Sequence, residues 1–368
     1  MGGTERILID KMNWLSFHGY NVVALTYEQG KHPFIYELSD KVRHVDLNVC
    51  FYKLYKYNPI IRTYKEWRMS RLLCKRFNAF MEEYKPDIVI TTTNCIFATS
   101  SAIAKSSFRC KKLLESHIDK RYLLNNAIIN KTKVLKLIHS HWESRKRLRD
   151  AKFFDLLIAL NQTDSDDWAP YVKTKVITNM VHLNEDGRYS DGNSKHVIFA
   201  GRYVEQKAPF DLLAIWKLVY EKHPDWHLDL YGDGEYRDLL VAEAERLQAN
   251  IHIYEPSANI FDRYKESSIL LLTSIYEPFG LVLPEAMSCG LPVVSFEADG
   301  PCKIITDGVD GFLVKNRNAN EFASRVCQLI EDEGLRKQMG QNAIKSAQRY
   351  SADRIMPQWV ELFESLKQ

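Results

Sequence analysis

Two glutamates separated by seven residues, Glu277 and Glu285, lie in the run Ser-Ile-Tyr-Glu-Pro-Phe-Gly-Leu-Val-Leu-Pro-Glu-Ala-Met-Ser-Cys-Gly from Ser274 to Gly290. The apolar stretch Ile269 to Leu272 before it has the length and flanks of a buried strand. A loop holding Glu277 and Gly280 follows, and then Leu281 to Cys289 reads as a helix, with Pro284 in its first turn and Gly290 as its stop. The first N–H groups of a helix have no partner within it, and the dipole adds positive potential there, so this mouth suits an anion. Carboxylates on either side suit sugar or ribose hydroxyls. A phosphate and a polyol are therefore expected together.

Arg202 and Lys207 follow a second predicted strand, His196 to Ala200. A guanidinium and a compact ammonium just past a strand end suit a diphosphate. A departing nucleoside diphosphate is neutralised either by such fixed cations or by a metal on acidic ligands. The acidic pairs Asp164-x-Asp166 and Asp233-x-Glu235 sit beside turn or helix-start signals, where Asp is a favoured cap, so no metal and no other cofactor are expected. Gly232-Asp233-Gly234 reads as a tight turn that lets backbone approach a nucleotide. Tyr254 lies in Ile253 to Pro256, where position alone puts the base. His117 ends a predicted strand in Leu114-Glu115-Ser116-His117 and is either a structural histidine or a group facing the reacting centre. His139 and His141, two apart on a predicted helix, point different ways and make a poor metal pair.

Strand and helix alternate around these residues. At the amino end, Met1-Gly2-Gly3-Thr4 reads as a Gly-rich turn opening an amphipathic helix with Ile7, Leu8, Met12 and Leu15, followed by a strand at Asn21 to Thr26. Further strands are expected at Asp87–Thr92, Lys112–Glu115, Asp155–Leu160 and Val176–Thr178, with helices at Tyr64–Tyr84 and Thr132–Asp150. Residues 185–195 turn polar and turn-rich, which marks a domain boundary. A second series follows: a helix through Leu212 to Val219, strand His227–Tyr231, helix Glu235–Gln248, strand Ile251–Tyr254, helix Asn259–Glu266 and strand Pro292–Phe296. Ala352–Lys367 is amphipathic. The alternation implies two doubly wound halves with parallel sheets covered on both faces.

A chain of 368 residues with 45% hydrophobic and 26% charged content is that of a soluble two-domain protein. No run of 18 apolar residues occurs, since Ile88 to Ala104 is broken by Thr91, Thr92, Thr93 and Asn94. The seven cysteines are odd in number, scattered and without a Cys-x-x-Cys pair, and the amino end carries no signal pattern, so a reducing cytoplasm and no zinc site are expected. Residues 1–190 hold 31 Lys+Arg against 20 Asp+Glu, and the remainder 19 against 27. The basic excess concentrates in Lys53–Arg76 and Lys131–Arg149, interleaved with Tyr55, Trp67, Leu72, Leu135, Ile138 and Trp142. Such segments suit the anionic inner face of a plasma membrane, or are solvated helix faces; nucleic acid is not the expected partner.

Glu277-x7-Glu285, within Glu-Pro-Phe-Gly-Leu-Val-Leu-Pro-Glu-Ala-Met-Ser-Cys-Gly-Leu-Pro-Val-Val, resembles the signature of family 4 glycosyltransferases. That resemblance implies an α/β GT-B fold of two Rossmann-like domains with an interdomain cleft: residues 1–185, acceptor-binding, with a crossover helix at 352–368, and residues 186–351, nucleotide-sugar-binding. It implies a retaining, metal-independent hexosyltransferase that moves a sugar, from a UDP-sugar by preference, to a glycan or lipid-linked acceptor in cell-surface polysaccharide synthesis. Glu277, Arg202, Lys207 and His117 would be catalytic. Glu285, Phe279, Gly280, Leu281, Gly232, Tyr254, Gly2 and Gly3 would bind the donor. In the resembled family a strand precedes the Gly-Gly turn, so the first sheet should show an interruption or a compensating element. Two departures stand out: Ala208-Pro209 where Gly usually follows the lysine, and Lys303 where the closing Gly-rich loop (Asp299 to Ile305, then Gly308 and Gly311) commonly has Glu. A sugar-nucleotide epimerase of the same fold, or a non-catalytic nucleotide-sugar-binding subunit, are the alternatives.

Overall fold

The computed structural model of the chain describes residues 3–93, 99–118, 120 and 145–367. It divides into two compact units, residues 1–179 with 355–368, and residues 180–354. The polar stretch around 185–195 is therefore not the linker. Its turns are pinned to the second unit, where Asn184 N donates to Ser288 Oγ (2.9 Å) and Ser190 N to Cys289 O (2.8 Å).

In the first unit, α1 (Gly3–Phe17) leads to β1 (Val23–Thr26) and β2 (Arg43–Asp46), and α2 (Pro59–Tyr84) follows. The Asn58 side chain accepts from Ile61 N at 3.0 Å and caps α2, so the helix starts five residues earlier than its apolar spacing suggests. Next come β3 (Ile88–Thr92), α3 (Thr99–Ala104), β4 (Lys111–Ser116), β5 (Leu156–Ala159), α4 (Gln162–Trp168) and β6 (Thr174–Val176). Most of the helix expected at 132–150, with His139 and His141, lies outside the described residues.

The strands of this unit form two parallel ladders, β1-β2 and β3-β4-β5-β6. Among the described residues the expected interruption of the first sheet is present. Helix α2 bridges it: Phe77 and Met81 share a core with Leu114 and Leu157 of the larger ladder and with Leu25 of β1, and Leu73 packs with Val49 beyond β2.

The second unit runs β7 (His196–Ala200), α5 (Pro209–Tyr220), β8 (His227–Tyr231), α6 (Arg237–Leu247), β9 (Ile251–Tyr254), α7 (Ile260–Lys265), β10 (Ile269–Leu272), α8 (Val282–Ser288), β11 (Val293–Phe296), α9 (Pro301–Ile304), β12 (Gly311–Val314), α10 (Ala319–Glu331) and α11 (Glu333–Ala347). Its six strands are all parallel in the order β12-β11-β10-β7-β8-β9. Their near-continuous apolar sequences, such as Ile-Leu-Leu-Leu in β10, are those of strands covered on both faces. Trp216, Phe199, Leu230 and Phe322 lie in the core on one side of this sheet, and the Trp216 indole N–H reaches Ala249 O at 2.7 Å. The chain ends in α12 (Ala352–Lys367), which counts with the first unit from Ile355 onward and buries Trp359 and Phe363. The Lys11 ammonium of α1 lies 3.7 Å over the Trp359 ring.

Candidate active site

In the second unit the strand order reverses between β7 and β10, and a crevice at the carboxyl ends of such a pair is where open parallel sheets take ligands. The loops leaving these two strands are laced together. Ile275 N donates to Gln206 O (2.8 Å), Gln206 Nε2 to Tyr276 O (2.9 Å), and Thr273 Oγ1 to Lys207 O (3.0 Å). Sequence motifs 70 residues apart thus become one surface.

Lys207 and Glu277 form a largely buried ion pair through Nζ and Oε2, with side chains 14% and 8% exposed. Ser274 Oγ donates to the same carboxylate oxygen at 3.3 Å. Arg202 is exposed and its Nη2 donates to Gln206 Oε1 (3.3 Å). Cation and carboxylate, expected to act on different parts of a ligand, neutralise one another in the free chain.

Helix α8 is shorter than expected, with Leu281 as its cap. Leu283 N donates back to Gly280 O (2.9 Å), whereas no described residue accepts from the N–H groups of Phe279, Gly280 or Leu281. Gly280 has φ +92°, a conformation that favours glycine. Successive N–H groups in such a turn make an anion-binding concavity. Glu285, in the first turn of α8, is buried, and the Tyr264 hydroxyl donates to its Oε2 at 3.4 Å.

Residues that the sequence did not single out hold this loop in place. Arg317 donates from Nη1 to Ser274 O (3.0 Å) and from Nη2 to Thr273 O (3.1 Å), and pairs with Asp211 at 2.5 Å. Gly300 N donates to Glu277 O (2.8 Å), and a Cβ on Gly300 would overlap the Phe279 carbonyl. Only Gly300 carried a signal, as a glycine in the loop after β11.

Gly232 is glycine for an internal reason: a Cβ there would overlap the Gly201 carbonyl, so the chain's own packing requires it. Tyr254, at the end of β9, is half-exposed and stacks on Tyr231, with ring centroids 4.8 Å apart. Its carbonyl accepts from the buried Tyr203 hydroxyl at 3.0 Å.

In the first unit His117 follows β4 and is buried. Lys11 Nζ donates to Glu115 Oε2 (2.6 Å), and His117 Nε2 lies 3.1 Å from the same oxygen. Burial alone would raise the Glu115 pKa, but the Lys11 charge and the hydrogen bonds from His117 and Lys11 bring it down to about 2. Burial lowers the Lys11 pKa against the opposing pull of Glu115. Because an ionised carboxylate only accepts, His117 donates its Nε2–H, and Nδ1 is left with no partner among the described residues. Gly3 is the first residue of α1, and Gly2 lies outside the described residues.

Asp164 is not the cap of its helix: Asn161 is, accepting from Asp164 N at 2.8 Å, while the buried Asp164 carboxylate accepts from Lys120 N and has its pKa raised by desolvation. Asp233 Oδ1 accepts from Gly234 N within its turn. Among the described residues no group of three His, Cys, Asp or Glu side chains is placed to hold a metal ion.

The fold class that the two parallel-sheet units define is GT-B. The structure of sucrose-phosphate synthase from Thermosynechococcus elongatus superposes with a TM-score of 0.80 at 18% identity, covering 99% of this chain and 94% of that one. That of HepE from Anabaena, in complex with UDP and glucose, superposes at 0.70 with 21% identity, covering 99% and 96%. Residues 185–346, most of the second unit, match the family model of glycosyl transferases group 1. The amylovoran biosynthesis glycosyltransferase AmsD of Erwinia amylovora is 26% identical over 373 residues, spanning 98% of this chain and 95% of that protein.

Proposed function

We propose that the protein is a retaining glycosyltransferase that moves a sugar from a nucleotide donor, UDP-linked by preference, to a glycan or lipid-linked acceptor in cell-surface polysaccharide synthesis. The observation that carries this is the cluster at the β7/β10 switch point: Arg202, the Lys207–Glu277 pair and the unaccepted N–H groups of residues 279–281. Fixed cations and peptide dipoles of this kind stabilise a leaving diphosphate without a divalent metal. The similarity to AmsD supports the polysaccharide setting, and the UDP and glucose bound by HepE support the choice of donor.

In this reading Arg202, Lys207 and the 279–281 N–H groups hold the diphosphate, and Glu285 accepts from the ribose hydroxyls. Glu277 accepts from hydroxyls of the sugar, and within the first unit the Nδ1 lone pair of His117 is open to accept from a hydroxyl. Gly232 and Tyr254 border the nucleotide. The acceptor hydroxyl attacks the anomeric carbon on the face that the phosphate leaves. The bond from that carbon to the phosphate oxygen breaks as the new one forms, and the hydroxyl proton passes to the departing oxygen.

The test is thermal-shift screening against UDP-, GDP- and ADP-sugars, followed by product analysis with and without acceptor. A ligand at 100 times its dissociation constant adds about 2.7 kcal/mol of stability. No stabilisation by any nucleotide sugar would overturn the reading, and conversion of donor to an isomer without acceptor would make the protein an epimerase.

A further inference from the structure

Of the seventeen large hydrophobic side chains exposed among the described residues, seven lie within residues 52–72. Along α2, Ile60, Tyr64 and Trp67 recur at positions i, i+4 and i+7 and so share one stripe, turned away from the buried Leu73. Ile60 is 85% exposed and Trp67 52%. The same segment holds six lysines and arginines against the single acid Glu66, which is paired with Arg62 at 2.7 Å. Rings and cations alternate: the Arg71 guanidinium lies 4.1 Å over Trp67, Arg62 4.6 Å over Tyr55, and the Lys65 ammonium 4.5 Å over Tyr57.

We infer that this face of the first unit docks on an anionic lipid bilayer. Aromatic and aliphatic side chains of this kind sit at the boundary between headgroups and acyl chains, while long basic side chains extend from their apolar stems to the lipid phosphates. Charge decides between occupants. A second copy would set one basic stripe against another, whereas a bilayer rich in acidic headgroups complements it. A nucleic acid would meet the charge but gives no return for an aliphatic side chain as exposed as Ile60, and lipid does. No helix among the described residues is long and apolar enough to cross a membrane, so the contact is superficial. Docking requires neither donor nor acceptor and stands apart from the sugar-transfer reading, to which it adds a route to lipid-linked acceptors.

The experiment is flotation of the full chain with vesicles containing phosphatidylglycerol and with vesicles of phosphatidylcholine alone, at low and high salt. The protein should float with the first at low salt and not with the second, with a blue shift of tryptophan emission that Trp67→Ser reduces. Ile60→Ser with Trp67→Ser, and separately Arg68→Ser with Arg71→Ser, should each weaken binding about 10-fold or more. Because all four side chains stand on the outer part of α2, the melting temperature should hold. Absence of flotation with anionic vesicles would overturn the inference, as would flotation undiminished in both double variants. So would a dimer, or a complex with a nucleic-acid homopolymer, that these variants dissolve while vesicles are ignored.

Discussion

Arg202 and Lys207 carry like charge and differ in surroundings, which makes their variants informative in different ways. Arg202 is exposed and its hydrogen bond goes to Gln206, so Arg202→Ala should leave stability within about 0.5 kcal/mol. Turnover should nevertheless fall roughly 100-fold to 1000-fold, the loss typical of one oxyanion donor. Wild-type turnover would remove Arg202 from the site. Lys207→Ala also strands the Glu277 carboxylate, so its loss of rate should come with a loss of stability, read from a melting curve. Glu115 offers a pH test. Its folded pKa of about 2 lies below its ordinary 4.5, so its contribution is complete above 4.5 and disappears as pH falls from there toward 2. Glu115→Gln should destabilise the protein at pH 7 by about 3–5 kcal/mol, by leaving Lys11 buried without its counter-charge, and should flatten that acid limb. An unchanged acid limb in the variant would show that another group governs it. In wild type, nitrogen NMR should find His117 protonated at Nε2, and protonation at Nδ1 instead would break the proposed acceptor role.

Turns decide how elements meet the site, and Ala208 occupies one of them with a left-handed backbone. It adopts φ +45° and ψ 53° between Lys207 and Pro209, where the resembled family has glycine, and Thr273 Oγ1 donates to its carbonyl at 3.2 Å. A left-handed alanine costs about 1–2 kcal/mol, part of which glycine returns as chain entropy, so Ala208→Gly should stabilise by roughly 0.5–1 kcal/mol by denaturant titration. A neutral or negative result would mean that packing, not dihedral strain, governs this turn. At this level the sequence was most readable where apolar runs end in loops: β7, β8, β9 and β10 fall within a residue of expectation, because both-face burial leaves few polar residues inside a strand. The short β2, Arg-His-Val-Asp, was not readable, since its end residues are charged, Arg43 and His44 are exposed, and its pairing is supplied by β1. Between Val314 and Ala352 nothing was assigned, although Asn318 and Asp332 accept from Glu321 N and Leu335 N and cap α10 and α11. The loop clamp by Arg317 had no signal at all, because its partners are carbonyl oxygens, which any residue provides.

For the molecule as a whole, the alternation of strand and helix was enough to imply two doubly wound units, while their limits were not. Turn-rich composition marks a linker only when its polar groups are left to solvent, and at 184–194 they are tied to the second unit. The first unit's two ladders have a mechanical consequence. Among the described residues this two-stranded parallel ribbon pairs along one edge of each strand and joins no other ladder of its unit, so it should detach at a lower free energy than the unit melts. Deuterium uptake should therefore reach the amides of 23–26 and 43–46 well before those of 113–116 and 156–159. A protease added under native conditions should make its first cut in this unit near that ribbon, leaving the six-stranded unit whole.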